Sequence, residues 1–181
     1  MMNDWGRRDI MRGVLLLAGA AATSGMTAEM VFAGPASLPG DTMLLLTAIS
    51  DTIIPPTDTP GAAGAGVPEK LDKLLANWAS PLRRAQILGA MTAIDEKAVA
   101  TTGSRFAALT PARRFEVLSA FDKAMIADPG YARLRQLVAT LYYLSEVGAT
   151  VELRYEHAPG AWEPSLPVTA ATRNYGGPDH I

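Results

Sequence analysis

The stretch that organises the chain runs from Leu141 to Pro167 and reads LYYLSEVGATVELRYEHAPGAWEPSLP. It holds three of the five tyrosines, one of the three tryptophans and one of the two histidines. The residues before it are rich in alanine and leucine and carry the pattern of plain helix. A segment so rich in large aromatic side chains must pack on the helices of its own chain or on a partner.

Local signals within this stretch predict a helix end followed by a strand. The helix is expected to end near Val147 and Gly148, where glycine can take the left-handed cap conformation. From Thr150 to Glu156, β-branched and aromatic residues alternate with charged ones. That alternation predicts a short strand with one apolar face and one charged face, and Glu152 and Arg154 would lie on the charged face.

The composition of the chain excludes several classes of site. The 16 lysines and arginines nearly balance 18 acidic residues, so there is no electrostatic footprint for nucleic acid. The absence of cysteine excludes disulfides, cysteine-ligated zinc, iron–sulfur clusters and covalently attached haem. Only His157 and His180 are available as imidazole ligands, which is too few to predict a histidine metal site. We therefore expect no cofactor on this chain.

The first 33 residues have the features of an export signal. Arg7 and Arg8 precede an apolar run over residues 14–22, which is much shorter than the roughly 20 residues that span a bilayer. Small residues up to Ala33 form a signal-peptidase site. The paired arginines predict a twin-arginine signal over residues 1–33, and an ordinary secretory signal is the alternative. The expected location is the periplasm, and no later apolar stretch is long enough to cross a membrane.

Capping residues and prolines divide the next hundred residues into helices. Asp41 is expected to cap the first helix, and Ser80, Thr110 and Asp128 each precede a proline that can open another. The fold class is therefore mainly α, an irregular bundle of about five helices with a short extended C-terminal segment. We expect one domain over residues 34–168 and a tail over 169–181. The predicted helices run over about residues 42–54, 68–78, 81–101 and 111–127, and the last one from 129 to the helix end expected near Val147 and Gly148.

Apolar residues at helical spacing predict the buried face of each helix. The stripe of the second helix includes Trp78, and that of the fourth includes Phe115 and Met125. Between the first two helices, residues 56–67 hold too many glycines and prolines for regular structure. A phosphate-binding loop is not predicted there, because no lysine follows at the required spacing.

No arrangement of residues predicts catalysis. A nucleophilic triad needs a base beside its nucleophile, but the only interior histidine is His157 and no Gly-x-Ser-x-Gly elbow is present. The carboxylates are scattered, and none forms a pair whose spacing forces two acids into one cleft. His157 is either a site residue or, more commonly for such a histidine, a structural or interface residue. The chain is not expected to be an enzyme.

Several short motifs of the chain resemble those of one family, the gluconate 2-dehydrogenase subunit 3 family. The resemblance covers about residues 41–168, and Glu163-Pro164 stands where a glycine is common in relatives. The motifs that carry it are Asp51–Pro55, Thr59–Ala62, Gly66-Val67, Leu141–Tyr143, Glu146–Gly148, Glu152–Tyr155 and Pro159–Trp162.

The resemblance implies a non-catalytic small subunit. Such subunits bind a large FAD-containing subunit of the glucose–methanol–choline type, which oxidises an alcohol of a sugar or polyol, and they assist its maturation and export. Electrons then pass to a cytochrome c subunit or another acceptor. The implied cofactor is FAD on the partner, and association with a membrane would run through a partner. A signal on this chain would then serve a partner that has none.

The family has no catalytic residues to carry over, so only contact residues are proposed from the sequence. Tyrosine, tryptophan and arginine dominate the energetics of protein interfaces. Alternatively, Tyr155 and Trp162 cover the core of the bundle itself. Two other functions stay open: a stand-alone periplasmic binding or scaffold protein, and a self-sufficient helical enzyme. The candidate partner-interface residues are Tyr142, Tyr143, Arg154, Tyr155, His157 and Trp162.

Overall fold

The computed structural model describes residues 37–155, 165, 167–169 and 172–176. Helices dominate this part of the chain, as the sequence predicted, and five of them are α-helices of 11 to 22 residues. The mainly α bundle is therefore confirmed. The helices are α1 (Gly40–Ile53), α2 (Val67–Asn77), α3 (Pro81–Thr102), α4 (Pro111–Met125) and α5 (Pro129–Tyr143).

Two of the four predicted N-terminal caps form with their side chains. The Ser80 hydroxyl accepts the backbone N–H of Arg83 at 3.3 Å, and a carboxylate oxygen of Asp128 accepts that of Tyr131 at 2.8 Å. Thr110 occupies the cap position of α4 without a side-chain hydrogen bond. The prediction for Asp41 was wrong, because α1 begins at Gly40, two residues earlier than expected, and places Asp41 in its first turn. There its negative charge still interacts favourably with the positive end of the helix dipole.

The core lies between α1, α2, α3 and α5, with α4 closing one side. Helix α5 packs mainly on α3 and α2, while α1 packs on α4, α2 and a short 3₁₀ helix at Phe106–Ala108. The Phe121 and Tyr131 rings meet edge to face, 5.1 Å between centroids, and join α4 to α5. The largest fully buried side chains come from α1, α2, α3, α5 and the 3₁₀ helix: Tyr131, Tyr142, Phe106, Leu46, Ile49, Leu71, Leu75, Ile87, Met91, Ile94, Leu134 and Val67.

Three side chains predicted to face inward are exposed instead. Trp78 is 81% exposed because α2 ends at Asn77, so the tryptophan backbone leaves helical geometry and its side chain leaves the apolar stripe. Phe115 is 65% exposed because the inner face of α4 is centred on Val117, Leu118 and Phe121. The third, Met125, is the last residue of α4.

The segment after α5 also differs from its prediction. Helix α5 ends at Tyr143, and Gly148 is not among the described glycines with positive φ, which are Gly66 and Gly103. Residues Gly148–Glu152 form a π-helical turn, because the carbonyl of Gly148 accepts the N–H of Leu153 at 3.0 Å. Only a two-residue strand remains of the predicted one. That strand, β1 (Arg154–Tyr155), pairs in parallel with β2 (Tyr175–Gly176).

Candidate partner-binding site

Two distant parts of the chain meet at the C-terminal end of α5. We call this region the junction; it consists of the loop over residues 55–66 and of residues 142–155. The Tyr142 hydroxyl donates to the carbonyl of Pro60 at 2.9 Å. The Thr59 hydroxyl donates to a carboxylate oxygen of Glu152 at 2.7 Å, and Thr59 is buried. Segments that are 82 and 93 residues apart in sequence are thus joined by two side-chain hydrogen bonds.

The loop of the junction has irregular backbone but defined contacts. A carboxylate oxygen of Asp51, on α1, accepts the backbone N–H of Ala63 at 2.8 Å. The carbonyl of Ile54 accepts the N–H of Ala62 at 2.9 Å, and Ala62 is completely buried. Gly61 is required by close packing, because a Cβ at that position would lie 2.8 Å from the Ile54 carbonyl oxygen. The loop is therefore anchored to the end of α1 and contributes to the core.

The other side of the junction is a buried chain of hydrogen bonds. The Ser145 hydroxyl donates to the carbonyl of Tyr142 at 2.6 Å and accepts the backbone N–H of Gly148 at 3.0 Å. Gly148 is buried so close to α5 that a Cβ would lie 2.1 Å from the Tyr142 carbonyl oxygen. These contacts fix the turn that carries Glu152 toward Thr59.

Residues near the C-terminus reach the same region. Arg173 forms an ion pair with Asp58, and the backbone N–H of Arg154 donates to the carbonyl of Asn174 at 2.8 Å. Hydrogen bonds from Arg173 and Thr57, together with the positive charge of Arg173, hold the pKa of the Asp58 carboxyl below its usual 3.8. The same pairing raises the pKa of Arg173. Both partners are exposed to solvent, so the pair positions the segment more than it stabilises the fold.

The polar groups of the junction are engaged with one another. Thr59 donates to Glu152, and Asp51 and Asp58 accept hydrogen bonds from the backbone and from Arg173. The described residues contain no group of three histidine, cysteine or acidic side chains placed to hold a metal ion. Within the same described part of the chain, none of the helices combines the length and the apolar character that crossing a membrane requires. The polar contacts of the junction therefore join separate segments of the chain and leave other side chains exposed at its surface.

The predicted interface residues fall into four groups. Tyr142 is 2% exposed and belongs to the core, where its ring meets Tyr143 edge to face with 5.3 Å between centroids. Tyr143 is 42% exposed and Arg154 is also exposed, so both display side chains at the junction. For Tyr155 the structure describes only the backbone, in β1. The last two predicted interface residues, His157 and Trp162, lie outside the described part of the chain, as do Arg7 and Arg8 of the predicted export signal.

The sequence patterns did not reveal the residues that hold the junction together. Glu152 was expected on the charged face of a strand, and Asp51 and Thr59 were noted only as motif residues. No local signal connects Thr59 to Glu152, because their contact depends on how α1, α5 and the loop pack. The clue that was available is that all three belong to the short motifs carrying the family resemblance.

The structure defines a small, mainly α-helical domain in which an irregular loop and the end of the last helix are joined by partly buried hydrogen bonds. The chain belongs to the gluconate 2-dehydrogenase subunit 3 family. The model of that family, described as Gluconate 2-dehydrogenase subunit 3, matches residues 41–160, about two-thirds of the 181 residues. The matched range includes both sides of the junction. No curated protein and no solved structure matches the chain. The family consists of subunits of a dehydrogenase complex.

Proposed function

We propose that this chain is the non-catalytic small subunit of an FAD-dependent sugar or polyol dehydrogenase complex. It binds the large FAD-containing subunit and assists the maturation and twin-arginine export of that subunit, and the complex is periplasmic. The family match over residues 41–160 carries the proposal. FAD belongs to the partner, and electrons pass from it to a cytochrome c subunit or another acceptor.

The geometry of the junction supports a binding role. Its buried hydrogen bonds hold the end of α5 in one conformation, which lowers the entropy lost when a partner binds. Tyr143 projects from this rigid base, and its exposed ring has the apolar body and polar tip common at interfaces. Arg154 lies on the same segment and can form several directed hydrogen bonds.

Co-purification from the native host tests the subunit assignment. The full chain carries a C-terminal tag, and the eluate is examined by mass spectrometry and by absorbance. We expect a stoichiometric flavoprotein with sugar dehydrogenase activity. Recovery of the tagged chain alone, colourless and monodisperse, would instead identify a stand-alone periplasmic protein.

The contribution of Tyr143 is tested by Tyr143→Ala in the same experiment. Truncation of an interface anchor costs more than about 1 kcal/mol, so the flavoprotein should dissociate at least about fivefold faster. Phe115→Ala is the control, since it removes an aromatic ring that is even more exposed than that of Tyr143 and lies on α4. Equal dissociation from both variants would remove Tyr143 from the interface.

The export role is tested by replacing Arg7 and Arg8 with lysine. Dehydrogenase activity should then accumulate in the cytoplasm rather than in the periplasm, because the partner travels on the signal of this chain. Arg113→Lys, an exposed arginine on α4, serves as the control. If activity still reaches the periplasm in the Arg7→Lys, Arg8→Lys variant, the carrier role is wrong while the subunit role stands.

A further inference from the structure

A surface groove lined by residues of α2, α3 and α5 combines an exposed tryptophan with two arginines. The groove encloses about 350 Å³. Its lining includes a pair of side chains from each of three helices. Trp78 is counted with α2, which it immediately follows. The pairs are Leu74 and Trp78 from α2, Arg83 and Ile87 from α3, and Arg133 and Leu137 from α5.

The floor of the groove is apolar and continuous with the core. Ile87 is 2% exposed, while Leu74 and Leu137 are partly buried and pack against the core cluster. Trp78 is 81% exposed, the largest exposed fraction among the aromatic side chains that the structure describes. Single exposed apolar residues are ordinary on protein surfaces. A tryptophan beside a partly enclosed apolar floor is instead the composition of an interface hot spot.

The charges at the groove are of one sign. Arg83 and Arg133 are both exposed, and the described lining contains no acidic residue. Arg83 donates to the neutral amide oxygen of Gln86 at 3.3 Å, and Arg133 to that of Gln136 at 3.0 Å. In the described part of the chain neither guanidinium pairs with a carboxylate. Each arginine has five N–H donors, so most remain available to an incoming acid.

We propose that this groove is a second docking site for the large subunit, separate from the junction, and that it binds an acidic segment with one apolar anchor side chain. The anchor seats between Leu74, Ile87 and Leu137 with the Trp78 indole over it. Carboxylates beside the anchor pair with Arg83 and Arg133. This inference rests on the proposed function, because it assigns a second contact surface to the same partner.

The test uses the tagged full chain and the flavoprotein that co-purifies with the wild type. The complex is immobilised, and the release of flavin absorbance is followed with time. Trp78→Ala should shorten the lifetime of the complex about 30-fold, the effect of losing a hot-spot residue. Trp78→Phe should restore part of the lifetime. Since Trp78 is mostly exposed, the melting temperature of the free chain should stay unchanged.

Charge reversal tests the acidic character of the occupant. Arg83→Glu combined with Arg133→Glu should slow association and weaken its dependence on salt, because a favourable charge pair becomes a repulsive one. Phe115→Ala and Arg113→Glu are the matched controls for an exposed aromatic ring and an exposed arginine outside the groove. Neither control should change the lifetime or the salt dependence.

Each outcome separates this proposal from the function on which it rests. If wild type captures the flavoprotein and the groove variants hold it equally long, the groove is not a docking site although the subunit role stands. If wild type captures no flavoprotein, both fail. Light scattering tests whether a second copy of this chain fills the groove instead. If the free wild-type chain is a dimer and the Trp78→Ala variant is a monomer, a second copy occupies the groove and the proposal is overturned.

Discussion

Replacing Gly148 with alanine is expected to destabilise the domain, because the added methyl group meets backbone atoms. An ideal Cβ at Gly148 would lie 2.1 Å from the carbonyl oxygen of Tyr142 and 2.7 Å from its carbonyl carbon. Non-bonded heavy atoms settle at about 3.5–4 Å, so the turn and α5 must separate by more than about 1 Å. A peptide group cannot relieve this overlap by changing a rotamer.

The magnitude follows from the contacts that such a separation disturbs. Ser145 links Tyr142 to Gly148 through hydrogen bonds of 2.6 and 3.0 Å, and each contributes about 1 kcal/mol. Overpacking of a buried site adds about 1–3 kcal/mol. We expect a total loss of about 3–5 kcal/mol. For a domain of this size, that loss lowers the melting temperature by about 6–20 °C.

Thermal and urea unfolding followed by circular dichroism measures the loss. Gly89→Ala is the control, because an added Cβ there has no atom within 4 Å and lies in the interior of α3. That variant should gain about 0.5–1 kcal/mol from the better helix propensity of alanine. A melting temperature of Gly148→Ala within about 2 °C of wild type would refute the close approach on which the estimate depends.

Three further substitutions probe the packing of α5, a helix end and a buried phenol. Gly130→Ala should destabilise by about 3 kcal/mol in the same unfolding assay, because its Cβ would lie 2.2 Å from the carbonyl oxygen of Gln86; wild-type stability would mean that α3 and α5 lie further apart. Gly103→Ala should cost about 1 kcal/mol through its φ of 75° alone, and Gly103→Asn should cost less; equal costs would contradict a purely conformational effect. Burial and the hydrogen bond to Asp122 raise the pKa of the Tyr131 phenol above its usual 10.0. The folded state therefore favours the neutral phenol, and the resulting stabilisation is complete below pH 10.0 and lost as the pH rises beyond it. Between about pH 8 and pH 11, the free energy of unfolding measured by urea titration should fall less for Tyr131→Phe than for wild type. Equal falls in both proteins would exclude Tyr131 as the titrating group.

The fold was predictable from sequence because its signals are local. Ser80 and Asp128 act on the N–H groups of the next turn, and the prolines after them fit only the first positions of a helix. The stripes of α1, α3 and α5 identified most of the core for the same reason. Two of the three errors, Trp78 and Met125, occurred at helix ends, where a shift of one residue decides whether a side chain is buried. Trp78 is the clearest case, since it keeps helical spacing in sequence but lies beyond the last turn of α2.

The junction could not be predicted in the same way. Thr150 and Val151 favour a strand by residue type, yet the Thr150 hydroxyl donates to the carbonyl of Glu146 at 2.7 Å and supports a helical turn. Glu152 is then brought to Thr59 by tertiary packing that no pattern in either segment encodes. The family resemblance indicated which residues matter there but not that they touch.

The 93 residues that separate Thr59 from Glu152 also set the timing of assembly on the ribosome. Translation at about 5–20 residues per second takes roughly 5–20 s to cover that distance. During this interval the loop over residues 55–66 has been made, but its carboxylate partner has not. The junction therefore forms only after Glu152 has been made, and a protein that recognises it distinguishes such a chain from a shorter nascent one.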